Sequence, residues 1–267
     1  MPPILNIAAY RFVPLPDAAA LAPRLRQTAE DAQLKGTVLL AEEGINLFLA
    51  GPAEAVRRWL EALGGDERFA DLPVKESWSE AVPFRRLLVK VKREIIRMNL
   101  PEVTPDTQAQ STRRAPAVSA STLKRWLDNG HDDDGRAVLM LDTRNGFEVD
   151  AGAFEGALDW RLRKFSDFPA ALAAHRAELA GKTIVTYCTG GIRCEKAALL
   201  MQRQGLAHTW QLDGGILKYF EEVGLQATAP HYRGTCFVFD DRVTLNANLA
   251  ADAAAPASAM EAGPGRP

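Results

Sequence analysis

Residues Thr183 to Arg193 restrict what this chain can fold into more than any other stretch. Thr183-Ile-Val-Thr-Tyr187 is a β-branched and aromatic run of the kind that fills a buried strand. Cys188-Thr-Gly-Gly-Ile-Arg193 follows. Ala197, Leu200 and Met201 then recur at helical spacing, and Gly205 is placed to stop the helix. A strand that turns through two glycines directly into a helix is the building unit of a parallel sheet wrapped by helices.

The same loop points to chemistry. Gly190 and Gly191 let successive backbone N–H groups turn inward, so Thr189, Gly190, Gly191, Ile192 and Arg193 form a candidate anion cradle around Cys188. The helix N-terminus and the Arg193 guanidinium both favour a negative charge there. They should lower the Cys188 thiol pKa and stabilise a thiolate or persulfide. Cysteine phosphatases place one more residue between Cys and Arg to ring a tetrahedral phosphate. The tighter ring here suits a sulfur-sized anion. The competing reading is an ordinary buried cysteine packing the sheet, and the two glycines and the arginine argue against it. The catalytic reading requires a reachable sulfur with the guanidinium close by.

With 267 residues and 47% hydrophobic content, the chain can build two modest cores. A formal net charge of -2 gives no general pull toward nucleic acid, so any RNA contact must come from a local patch. Three cysteines, Cys188, Cys194 and Cys236, cannot form a disulfide framework and fit a reducing compartment. The start, Met1-Pro-Pro-Ile-Leu-Asn-Ile7, lacks the basic n-region and apolar core of a signal peptide, and no apolar run could span a bilayer. A soluble, cytoplasmic protein is expected.

Residues 1–100 alternate strand and helix signals. Leu5 to Phe12 reads as a strand, and Asp17 to Leu34 as a helix capped by Asp17. Gly36 to Ala41 and Ile45 to Leu49 read as a strand pair around Glu42-Glu43-Gly44, and Pro52 to Leu63 as a second helix. Val74 to Trp78 and a long stretch from Arg86 to Met98 supply further strand. The order βαββαβ predicts a ferredoxin-like α+β domain. Residues 101–116, with three prolines among polar neighbours, read as a linker.

A second α/β unit is expected over 117–228. Its helices are read at Ser121 to Leu127, Ala170 to Leu179 and Ile216 to Glu221, and its strands at Ala137 to Leu141 and Thr209 to Leu212. A C-terminal segment, 229–249, precedes an Ala- and Pro-rich tail, 250–267, expected to be disordered.

Other residues carry weaker signals. Cys194 sits on the first turn after the loop, either as a resolving thiol or as a small packing residue, and its helical position favours packing. Asp142 and Arg144 end a strand on the same sheet edge as Cys188, where ligands of open parallel sheets bind. They shape a pocket or simply pair with each other. Arg86, Lys90 and Lys92 alternate with Leu87, Val89 and Val91, so one face of that strand is basic. This face could contact RNA phosphates, although a solvated strand face explains it too. His131, His175, His208 and His231 share no ligand spacing with one another or with a cysteine pair, so no metal site is expected. No dinucleotide fingerprint, P-loop or flavin signature is present, and no organic cofactor is expected.

Asp142-Thr-Arg144, the turn Gly152-x-Phe-x-Gly-Ala157, the Cys188 loop and Asp213-Gly-Gly215 together resemble the skeleton of a rhodanese domain. The string Tyr187 to Lys196 is more specific. With Ala41-Glu-Glu-Gly-Ile-Asn46, Lys90 to Ile96, Phe147-Glu148, Gly214 to Tyr219 and Cys236 to Arg242, it resembles the bacterial rhodanese-domain tRNA uridine hydroxylases. The resemblance covers nearly the whole chain. It implies an acylphosphatase-like first domain, a rhodanese-like second domain and Cys188 as the catalytic cysteine, passing through a persulfide. It also implies tRNA as partner, neither DNA nor a membrane, and molecular oxygen as cosubstrate in forming 5-hydroxyuridine at the wobble position. Where many relatives carry Gly-His-Phe, this chain has Gly152-Ala-Phe154. The cradle alone suits a thiosulfate-type sulfurtransferase equally well, but the extra domain with its basic strand argues against that. A non-catalytic RNA-binding module ranks last, because degenerate rhodanese units typically lose the cysteine retained here.

Overall fold

The computed structural model describes residues 3–105, 115–225 and 228–252. The chain divides into two compact units, Met1–Ser111 and Thr112–Pro267.

In the first unit the elements run β1 (Ile4–Phe12), α1 (Ala18–Asp31), β2 (Lys35–Ala41), β3 (Gly44–Pro52), α2 (Ala53–Gly64), β4 (Val74–Ser79) and β5 (Leu87–Val91). They form one sheet in the order β4-β1-β3-β2-β5. The first four strands are antiparallel neighbours, as a ferredoxin-like βαββαβ unit requires, and β5 adds a fifth strand parallel to β2. Leu5, Ile7 and Ala9 alternate on the buried face of β1, and Ile45, Leu47 and Leu49 do so on β3. Leu21, Leu25 and Ala29 of α1 and Val56, Trp59 and Leu63 of α2 recur at three- and four-residue spacing and close over that face.

Two expectations fail in this unit. Asp17 stands at the start of α1 but makes no side-chain cap. Its carboxylate pairs with Arg68, which is also held by Asp66 at 2.7 Å. The strand expected over residues 86–98 ends at Val91. After one more ladder bond, from the Lys92 N–H to the Leu40 carbonyl at 2.7 Å, carboxylates take over the amides. Glu43 accepts from the Ile95 N–H at 2.7 Å, and Glu94 accepts from Met98 and Asn99, both at 2.9 Å. Ile95 and Met98 are buried by this turned segment.

The second unit contains β6 (Ala117–Val118), α3 (Ala120–Asn129), β7 (Val138–Asp142), α4 (Gly146–Val149), β8 (Gly152–Phe154), β9 (Leu158–Asp159), α5 (Phe168–His175), β10 (Thr183–Tyr187), α6 (Ile192–Arg203), β11 (Thr209–Leu212), α7 (Gly215–Val223), β12 (Tyr232–Gly234), β13 (Cys236–Phe237) and β14 (Thr244–Leu245). Its sheet is parallel, in the order β6-β11-β10-β7-β9. The central strand β10 is buried at every position, which explains its unbroken β-branched and aromatic sequence. Helix α3 is capped by Ser119, whose hydroxyl accepts from the Thr122 N–H, and it ends at left-handed Gly130.

The main-chain carbonyls of Ala115 and Pro116 accept from Gln211, so the end of the expected linker already belongs to this sheet edge. Residues 106–114 of that linker lie outside the described residues. The helix expected over residues 170–179 is two pieces, α5 followed by a 3-10 turn over Arg176–Leu179. The tail expected to be disordered from residue 250 is ordered at first. Ala251 bridges Leu245, and the Asp252 N–H donates to the Thr244 carbonyl at 3.2 Å. The remainder, 253–267, lies outside the described residues.

Candidate active site

Cys188 lies where β10 ends and the chain turns into α6. Gly191 makes that turn possible: it caps α6 with φ of 104°, a left-handed conformation costly for any residue with a side chain. A second loop locks the first. The N–H groups of Ile216 and Leu217, at the start of α7, donate to the carbonyls of Cys188 (2.9 Å) and Thr189 (3.1 Å). Because C=O and N–H point oppositely across a trans peptide, anchoring those carbonyls turns the Thr189 and Gly190 amides to the other side. This packing demands glycine at 215, where a Cβ would stand 2.4 Å from the Cys188 carbonyl oxygen. The Gly191 N–H reaches the Cys188 sulfur at 3.1 Å.

Burial by itself would raise the Cys188 thiol pKa. The Cys194 thiol, the Arg193 charge and the Cys194 and Arg193 amides at the head of α6 outweigh it and pull the pKa down to about 5. A thiolate is therefore the resting form near neutral pH. The neighbouring thiols move the opposite way. Burial and the adjacent Cys188 hold Cys194 well above an ordinary thiol, and burial pushes Cys236 up to about 12. The Cys194 thiol donates to the Gly191 carbonyl at 2.9 Å. Because it stays protonated it is poorly suited to resolving a disulfide.

Arg193 does not hang free over the sulfur. Its guanidinium forms a two-pronged pair with Glu148, Nη1 to Oε2 at 2.5 Å and Nη2 to Oε1 at 2.7 Å, and Glu148 is fully buried. Glu148 also accepts from the Asn145 N–H at 2.9 Å, which pins it to the start of α4. Sequence reasoning gave Glu148 no role. The available signal was Asn145 three residues ahead of it, the spacing of a helix-start carboxylate that folds back on its own N-cap.

Asp142 and Arg144 do not line a pocket: both side chains have 0% exposure. Arg144 Nε donates to Asp142 at 2.9 Å, while Nη2 reaches Asp142 and the Gly152 carbonyl, each at 2.6 Å. Its guanidinium lies 5.7 Å from the Tyr187 ring centre. This is a buried structural pair that ties the ends of β7 and β10 to β8.

The sulfur is covered. Cys188 has 0% exposure, which corrects the expectation of an open cradle. The C-terminal segment packs against this loop, where the Thr189 hydroxyl donates to the Phe237 carbonyl at 3.3 Å. Gly190 faces the other way, with no atom within 4 Å of where a Cβ would stand.

Arg86, Lys90 and Lys92 are in the first unit and all three are exposed, Lys90 within β5 and the other two just outside its ends. Among the described residues no group of three or more His, Cys, Asp or Glu side chains could hold a metal ion, and no helix is long and apolar enough to cross a membrane.

Residues 4–95 match the UPF0176 acylphosphatase like domain, and residues 119–222 match the Rhodanese-like domain. Full-length similarity is stronger. The chain is 61% identical to a tRNA uridine(34) hydroxylase of Delftia acidovorans, across 94% of this chain and 92% of that protein. It is 60% identical to one from Variovorax paradoxus, across 95% and 93%. A protein of the same name from Cupriavidus taiwanensis is 58% identical, across 92% and 84%.

Proposed function

This chain belongs to the tRNA uridine(34) hydroxylase family, and we propose that it converts the wobble-position uridine of tRNA to 5-hydroxyuridine with Cys188 as its reactive sulfur. The observation that carries this reading is the intact loop. A sulfur at the head of α6 receives the Gly191 amide at 3.1 Å, and the Arg193 charge with the neighbouring amides holds its thiol below the ordinary range. Such a sulfur is electronically suited to act as a nucleophile or persulfide carrier, and because Cys188 has 0% exposure, its attack on a base requires the surrounding segments to open and admit the uridine.

C5 of uracil is a poor reaction centre until something adds at C6. Addition of the Cys188 thiolate there places an electron pair on C5, and C5 bonds to one end of the oxidant. Two electrons from a reductant split its O–O bond to leave C5–OH and water, and loss of the C5 proton with expulsion of the thiolate from C6 restores the double bond. Molecular oxygen is the proposed oxidant. Hydroxylating the ring removes only half the electrons that full reduction of oxygen to water consumes, so an external reductant supplies the rest. This chain's contribution is positional and electrostatic. The amide collar stabilises sulfur's negative charge before addition and after release, while Glu148 holds Arg193 at a fixed distance. Exposed Arg86, Lys90 and Lys92 offer positive charge to a tRNA backbone. The substrate and a cysteine that needs reducing conditions suit the cytoplasm.

Replacing Cys188 with Ser and measuring 5-hydroxyuridine in cellular tRNA tests the reading. Loss of the nucleoside is expected; unchanged modification rejects the assignment. The sulfurtransferase alternative uses the same collar, and rapid thiosulfate-to-cyanide transfer by the purified chain would favour it.

A further inference from the structure

An aromatic cluster stands beside the Cys188 loop and takes no part in the collar. Phe147 precedes Glu148, the residue that clamps Arg193, and Phe237 supplies the carbonyl that accepts from Thr189. The two rings meet edge to face at 5.2 Å. Phe239 joins them, 5.2 Å from Phe237 and 6.3 Å from Phe147, again edge to face. Phe237 is buried, Phe147 half-buried, and Phe239 is 52% exposed.

An exposed phenylalanine at a hairpin tip usually marks a loose tip, and this tip is firmly built. β13 pairs with β14, and the Val238 N–H donates to the Val243 carbonyl at 2.8 Å. Asp240 accepts from the Arg242 N–H, Nε and Nη2 at 3.0, 2.9 and 2.6 Å, which rigidifies the turn and offsets the Asp240 charge. The Phe239 ring is thus held with its outer part in water.

A positively charged segment is fastened to the start of α4, the helix that carries Phe147. The Gly146 N–H donates to the Leu162 carbonyl at 2.8 Å, fastening the segment Arg161-Leu-Arg163-Lys164 to the start of α4, beside Phe147. Arg161 is bound to Asp150 and Asp159, whereas Arg163 and Lys164 extend into solvent, with Lys164 only loosely paired to Asp167 at 3.8 Å.

Exposed rings flanked by cations are how proteins hold unpaired nucleotides: bases stack on the rings and phosphates meet the charges. We propose that Phe239 and Phe147 form a stacking ledge for the bases next to the target uridine in the anticodon loop, with Arg163 and Lys164 engaging the adjoining phosphates. The proposal rests on the hydroxylase reading and deepens it. It gives the single-stranded loop a point of attachment on the segment that packs against the Cys188 loop, and it makes Phe239 a positioning residue.

The test uses the full chain and an anticodon stem-loop RNA carrying uridine at position 34. Phe239→Ala should weaken stem-loop binding, followed by fluorescence anisotropy, about tenfold and raise KM accordingly with little change in kcat. Phe239→Trp, which can still stack, should restore binding, and Phe239→Leu, which is apolar but cannot stack, should not. The Arg163→Ala/Lys164→Ala double variant should flatten the salt dependence of binding. Wild-type affinity in Phe239→Ala, or full rescue by Phe239→Leu, would overturn the ledge. The two readings fail differently. If the wild type forms no 5-hydroxyuridine, the hydroxylase reading falls; if it does, and Phe239→Ala matches it in KM, only the ledge falls.

Discussion

The two units solve the interior of a small α/β domain in opposite ways. In the first, the buried polar side chains among the described residues are only Asn6 and Asn46, and its ion pairs are exposed, as Arg57–Glu76, or partly exposed, as Arg68 with Asp17 and Asp66. In the second, Asp142, Arg144, Glu148, Arg193, Glu195 and Lys196 are all buried in or near the elements that flank Cys188. Buried charge is costly unless paired, and replacing it with hydrocarbon is often neutral or stabilising. Asp142–Arg144 serves to tie strands together, whereas the Glu148–Arg193 pair sits at the Cys188 loop and holds a charge beside the sulfur. The first unit is a scaffold with a conventional apolar core, and the second holds an electrostatic device inside its core.

The sharpest way to break this comparison is to remove one partner from each kind of pair. Glu148→Gln strands the Arg193 charge in the interior and should cost about 3–5 kcal/mol in chemical denaturation. An equal stability in the variant would mean that the buried pair is not what holds α4 to α6. Leu47→Ala, in the apolar core of the first unit, should cost about 2–5 kcal/mol. Unlike Glu148→Gln, it should leave the Cys188 titration where it is, and a shifted titration would deny that the two interiors act separately.

A smaller effect follows from pH. Cys188 ionises at about 5 in the folded chain, below an unfolded thiol, so between those values the unfolded state carries a proton that the folded state lacks. The stability of the wild type relative to Cys188→Ser should therefore be fully present above the unfolded thiol's pKa and decline as pH falls toward about 5. A flat difference across that range would contradict a depressed pKa. The smallest change is expected for Glu76→Gln, which breaks a solvent-exposed pair and should cost at most about 1 kcal/mol. A larger loss there would erase the contrast with Glu148.

What was legible in the sequence follows the same division. The strand–loop–helix at Cys188 could be read because its signals are local: a β-branched run, paired glycines and a helical repeat within a few residues. The ferredoxin-like order was visible for the same reason. The failures that bear on the site and on the first sheet are long-range. Asp17 looks like a cap, but Arg68, 51 residues away, takes its carboxylate. The apolar–basic alternation after Arg86 reads as continued strand, but Glu43, 52 residues before Ile95, captures that amide and turns the chain. Arg193 looks like a free charge over the sulfur because its partner Glu148 lies 45 residues upstream. The Cys188 loop is also tied to the C-terminal segment, through a bond from Thr189 to the carbonyl of Phe237, 48 residues on. Local pattern predicted the elements and the reactive atom, while the pairing of charges depended on contacts that only the folded chain brings together.

The claim beneath all of this is that the collar keeps one buried sulfur ionised. Ultraviolet thiolate absorbance, taken as the difference between the wild type and Cys188→Ser across pH, measures it directly. A midpoint near 5 is the predicted result; a midpoint at or above that of a free thiol would contradict the account.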